Sequence, residues 1–123
     1  MRYYIPAGIW GLIVTLVSLL PGSSFPELNW KGPLDVDKIA HAIVYAVLAA
    51  LMSWAGWKNI GLSWTSVWIF SIIASAYGML MELFQLWFST GRFFDKYDLL
   101  ANVIGAFLGA VIVKMYFNKK YKL

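Results

Sequence analysis

His41 and Glu82 are the side chains in this sequence best suited to acid–base chemistry. An imidazole changes charge near neutral pH, and a carboxyl group set in apolar sequence can exchange a proton with a substrate lying between the two. Asp98 and Asn102, one helical turn apart, could orient the imidazole or a ligand. Arg92 offers a planar fork that matches a phosphate or carboxylate. Asp37, Tyr45, Gln85 and Asp95 supply further polar groups. The candidate catalytic set is therefore His41, Glu82 and Asp98. The candidate ligand-binding set is Asp37, Tyr45, Gln85, Arg92, Asp95 and Asn102. His41, Glu82 and Asp98 are also ligand types for zinc or manganese. With one histidine and no H-x-x-x-H or H-E-x-x-H spacing, neither a metal nor a cofactor is assigned from sequence. The chain has no cysteine, which excludes disulfides, thiolate metal sites and cysteine nucleophiles. It also lacks a G-x-S-x-G nucleophile motif and a Gly-rich phosphate loop.

The elements that must position these groups are apolar. Of 123 residues, 61% are hydrophobic and 13% charged, against about 45–50% and about 25% in soluble domains. Charged residues divide the chain into four apolar segments. Tyr3–Leu20 is uncharged, Ile39–Trp57 carries only His41, Gly61–Phe88 carries only Glu82, and Leu99–Val113 is uncharged. A spanning helix needs roughly 17–25 mostly apolar residues. The fold class expected is a small all-α membrane bundle of four antiparallel helices, over roughly 3–20, 37–58, 62–88 and 97–117, forming one domain over residues 1–123. A soluble bundle would need a polar outer face on each helix, and none is visible. A cleavable leader fits poorly, because the first apolar stretch is long and no small-x-small site follows.

With four spans, Arg2, Lys58, Lys114, Lys119, Lys120 and Lys122 share one side, and Lys31, Lys38, Arg92 and Lys96 the other. The positive-inside rule places both termini in the cytoplasm. Lys114 is expected to snorkel to the inner headgroups. The basic tail points to an anionic membrane surface rather than nucleic acid.

On that topology the candidate residues share the outer end. His41 and Asn102 each lie about 6 Å below the start of their helix, and Glu82 about 9 Å below Phe88. Asp37, His41 and Tyr45 step by four along one stripe. Ser71, Ser75, Gly78, Glu82 and Gln85 fall within about 80° of one another, as do Gly8, Gly11, Thr15 and Ser18; Asp98, Asn102, Gly105 and Gly109 fall within about 60°. Small residues at such spacing let membrane helices approach closely. The polar stripes are therefore expected to meet in a cavity open to the outside. Plainer roles stand beside these. Asp37 and Asp98 could be helix N-caps, His41 a packing histidine, and Arg92 a surface partner of Asp95 or Asp98. Glu82 fits such a role least, since ionisable residues within spans are costly and usually functional.

Three stretches resemble the VanZ-like family. Asp37-Lys38-Ile-Ala-His41-x-x-x-Tyr45 resembles its D-K-x-x-H-x-x-x-Y opening, and Glu82-Leu-Phe-Gln85 its E-x-x-Q. The stretch from Arg92 through Asp98, Asn102 and Gly105 to Gly109 is similar to its closing R-x-x-x-x-x-D-x-x-x-N-x-x-G-x-x-x-G. The likeness covers about Asp35 to Lys114, with helix one as the only additional element. It implies a small integral membrane protein of the bacterial cell membrane, from a family named for a member associated with low-level resistance to the glycopeptide teicoplanin. No agreed reaction comes with it.

Three functions fit these residues. The first is an envelope protein that binds or modifies a lipid or cell-wall-related headgroup at the outer leaflet. The second is a structural or partner-binding protein whose polar cluster is a latch. The third is a small proton-coupled transporter using Glu82, although paired broken helices are absent. The partners expected are membrane lipids and a lipid-linked or cell-wall-related ligand, with no nucleic acid; a homo-oligomer is compatible with the sequence.

Overall fold

A computed structural model describes residues 2–18, 36–87 and 96–121. A 3-10 turn, Arg2–Tyr4, leads into α1 (Ile5–Ser18); α2 (Val36–Ile60), α3 (Trp64–Trp87) and α4 (Lys96–Tyr121) follow. Among the described residues there is no strand. The helix starts later than the apolar segment does, because Pro6 lacks an amide proton and fits the first turn of a helix. α4 runs a turn beyond the expected residue 117.

The α2–α3 corner follows from local chemistry. Gly61 has φ 88°, a left-handed conformation that favours glycine. Its amide donates to the Trp57 carbonyl at 3.1 Å, closing α2 with a single αL-type bond. Two residues later the Ser63 hydroxyl accepts the Ser66 amide at 3.1 Å, capping α3. The three-residue link 61–63 gives the antiparallel hairpin expected from the short Lys58–Ser63 connection.

α2 and α4 run parallel and pack backbone to backbone, as second and fourth elements of an alternating bundle must. A Cβ on Gly105 or Gly109 would collide with the carbonyl of Ala42 or Ala46 respectively. The four residues form two matched i, i+4 pairs, so the small stripe of α4 lies on a small stripe of α2. Ala49, Ser53, Ala106 and Ala110 are fully buried beside them. α3 covers this pair with Val67, Ser71, Ala74, Met81 and Glu82. Beside the α2–α3 corner the Trp57 and Phe117 rings stack at 3.9 Å.

α1 runs antiparallel to α2. Tyr3 meets Trp54 edge-on, and Trp10 Nε1 donates to the Val44 carbonyl at 3.0 Å. Its bundle-facing residues are Ala7 and Val14, with Trp10 partly buried. The expected Gly8–Gly11–Thr15–Ser18 stripe is corrected at Gly8, and the side chain of Ser18 lies outside the described residues. Gly8 is exposed; Gly11 and Thr15 lie at the edge, where the Gly11 carbonyl accepts from Tyr77 Oη at 2.8 Å and Thr15 also meets that hydroxyl. Trp10 and Val14, with the small Ala7 beside them, fill the gap to α2, which a glycine face would leave open.

The arrangement inverts that of a soluble bundle. Leu12, Leu16, Trp68, Ile72, Leu108 and Ile112 are exposed, whereas Ser53, Ser71, Glu82, Asp98, Asn102 and Lys114 are buried. Lys38–Asn59, Trp64–Phe84 and Lys96–Phe117 are each long and apolar enough to cross a membrane. The described part of α1 is equally apolar but shorter, and residues 19–20 of its expected span lie outside the described residues.

Candidate functional site

Three helices deliver polar side chains to the end of the bundle opposite the α2–α3 corner. α2 contributes Lys38 and His41, three residues apart and hence on one face. α3 contributes Glu82. α4 contributes Asp98 and Asn102, separated by one turn. One nitrogen of His41 and one oxygen each of Glu82 and Asp98 lie within 4.8 Å of one another. Glu82 is 1% exposed and Asn102 0%.

Asp98 uses its two oxygens differently. Oδ1 accepts from Lys38 Nζ at 2.8 Å, and Oδ2 faces His41 Nε2 at 3.6 Å. It is the third residue of α4, inside the helix, with its carboxylate spent across the bundle; the N-cap role is therefore not the one seen. The other imidazole nitrogen, Nδ1, lies 3.1 Å from Asn102 Oδ1. That oxygen only accepts, so Nδ1 is the donor.

Asn102 reaches His41 because α3 carries no side chain opposite it. A Cβ at Gly78 would stand 2.6 Å from Asn102 Nδ2. That Nδ2 has no hydrogen-bond partner among the described residues, and an unsatisfied buried donor costs about 1–3 kcal/mol. The carboxamide is thus held for its oxygen at the expense of its nitrogen.

The structure brings together His41, Glu82, Asp98 and Asn102. Tyr45 lies one turn further along α2 and is buried. Asp37 and Gln85 are in α2 and α3, but their side chains lie outside the described residues, as do Arg92 and Asp95 entirely. The candidate site residues read from the sequence did not include Lys38, although it stands in the D-K-x-x-H stretch; that position and its i, i+3 spacing from His41 were the available signals.

A second lysine departs from expectation. Lys114 does not snorkel along the surface. It is 7% exposed, donates to the Leu62 carbonyl at 2.7 Å and sits 5.7 Å from the centre of the Trp64 ring. The α2–α3 link has no intrahelical partner for that carbonyl, and α4 supplies one.

Three long apolar helices and a shorter fourth, exposing apolar surface around buried polar residues, define an all-α multi-pass membrane protein. The family model described as VanZ/LLP1 matches residues 6–117, and the chain belongs to that family. The match includes α1, which is therefore part of the family domain and not an addition to it. No curated protein and no solved structure matches the chain.

Proposed function

We propose that this protein sits in the bacterial cell membrane with both termini cytoplasmic. There it binds or modifies the headgroup of a lipid or lipid-linked cell-wall intermediate at the outer leaflet, with an effect on glycopeptide susceptibility. The observation that carries this reading is the gathering of His41, Glu82 and Asp98 from three helices at one end of an apolar bundle. Polar and ionisable groups inside a membrane are costly, and where they converge they usually serve a ligand or a proton. In a modifying reaction His41 and Glu82 would exchange protons with the substrate, and Asp98 would hold the imidazole. Arg92, between α3 and α4 in the sequence, would fork onto the anionic part of the headgroup.

The bonds Lys38–Asp98 and His41–Asn102 favour one competing reading, a latch that fixes helix order. Incubating the purified protein with a panel of membrane lipids and cell-wall precursors separates the readings. Retention of one headgroup class, lost in Glu82→Gln, supports the site, and a mass change in the retained molecule adds catalysis. No retention of any class supports the latch. The topology is tested by cysteine labelling from outside the cell: Asn29→Cys should react and Lys120→Cys should not, and the reverse would overturn it.

A further inference from the structure

His41 is held in the manner of a metal ligand. Its Nδ1–H donates to Asn102 Oδ1, which turns Nε2 towards the two carboxylates: one nitrogen of His41 and one oxygen each of Glu82 and Asp98 lie within 4.8 Å of one another. Nε2 stands 3.6 Å from Asp98 Oδ2. The distance exceeds the 2.7–3.2 Å of an ordinary N–H···O bond. It agrees with the edge of a tetrahedron, roughly 3.3–3.6 Å, around a metal whose ligands stand at about 2.0–2.2 Å. The surroundings are arranged for the same end. Lys38 donates to Asp98 Oδ1 at 2.8 Å, which orients the carboxylate with Oδ2 towards His41. Asn102, fully buried, fixes the imidazole through its far nitrogen, as outer partners of metal-binding histidines do.

We propose that His41 Nε2, Asp98 Oδ2 and a carboxylate oxygen of Glu82 bind one divalent metal ion of the zinc or manganese class. Lys38 and Asn102 are positioning residues. Motif spacing does not reveal the site because each ligand comes from a different helix. Three protein ligands leave a further coordination position open. The proposal deepens the headgroup reading and rests on it only for what fills that position. Lys38, Glu82 and Asp98 alone sum to a negative charge, and Arg92, which the headgroup reading assigns to the anion, brings it only to neutral. With a divalent ion the sum becomes positive, so a phosphate-bearing headgroup fits the open position.

The test uses the full chain in detergent, stripped with a chelator and titrated with Zn2+ or with Co2+ as a spectroscopic probe. One ion per chain is expected, with a visible Co2+ band of low coordination number. Glu82→Gln and His41→Ala should lose that band while keeping their helical circular dichroism. Asn102→Ala should bind about 10–100-fold more weakly, and Asn102→Asp, which keeps an acceptor for Nδ1, should restore binding. Should a variant fail to fold, nitrogen-15 shifts of His41 in the unaltered protein decide: Zn2+ should move the Nε2 resonance and leave Nδ1 protonated. Two protonated nitrogens unmoved by Zn2+ would mean that a proton holds the position, and the proposal fails. Equal Co2+ binding by His41→Ala overturns it as well. Phosphate-headgroup retention that survives chelation refutes the metal and keeps the headgroup reading. Metal binding without headgroup retention supports the ion and removes only its proposed occupant.

Discussion

The two ends of the bundle each contain a buried or half-buried lysine, put to different uses. At the end carrying the α2–α3 corner Lys114 of α4 reaches the Leu62 carbonyl, Ser63 caps α3, Gly61 closes α2, and Trp57 stacks on Phe117. The lysine, the serine and the glycine amide each answer a backbone need created by the turn itself. At the other end Lys38 of α2 reaches Asp98, but no turn among the described residues requires it. The cluster also contains Glu82, His41 and Asn102, and Asn102 leaves an amide donor unsatisfied. A fold that needed only to be held together would gain nothing from this concentration of ionisable side chains. The contrast teaches that the corner end is assembled for stability, and it supports the proposal that the opposite end does something polar groups do at a cost in stability.

The contrast breaks most visibly in the helix pair common to both ends. Gly105→Leu should give the largest stability loss, about 3 kcal/mol or more, because a Cβ alone already meets backbone at Ala42 and the helices must separate. Its thermal midpoint in detergent should fall furthest of all the variants, and any retained headgroup should be lost with the fold. Lys114→Met should lower stability by about 1–3 kcal/mol through the orphaned Leu62 carbonyl. Headgroup and metal binding per folded molecule should be unchanged, which equilibrium binding on the surviving fraction will check. Lys38→Gln should lower stability by about 1–3 kcal/mol as well, since the pair is nearly buried and the Asp98 carboxylate loses a charged donor. Ligand affinity should fall with it, since Asp98 is no longer oriented. Smallest of all, Gly8→Ala should stay within about 0.5 kcal/mol of the unaltered chain, as a Cβ there meets nothing within 4 Å. A large effect at Gly8 would show that α1 packs through its glycine stripe after all.

Much of this was legible in the residues. Segment boundaries follow from charge placement, and the α2–α3 hairpin from the brevity of its link. The stripe Asp98–Asn102–Gly105–Gly109 does face α2, because a run of small side chains on a membrane helix has few other uses. The convergence of His41, Glu82, Asp98 and Asn102 was readable from depth and helical facing. The bundle-facing side of α1 was not: large and small residues alternate around it, and which of them fill a gap depends on the shape of α2. The role of Lys38 was hidden for a related reason. A lysine at a helix end is equally consistent with headgroup contact, and only the approach of α4 brings Asp98 to it. Lys114 was misread because snorkelling is the default for a terminal lysine, whereas the Leu62 carbonyl becomes its partner only once the corner has formed.

Glu82→Gln tests most directly whether the His41–Glu82–Asp98 cluster serves a ligand and not the fold. The substitution keeps the shape and hydrogen-bonding capacity of the side chain and removes its charge. Thermal melting in detergent, measured beside headgroup retention and envelope sensitivity in cells, should show a midpoint equal to or slightly above that of the unaltered protein, with retention and phenotype both abolished. A variant that unfolds, with a phenotype that follows only its lost abundance, would contradict the account and make the cluster a latch.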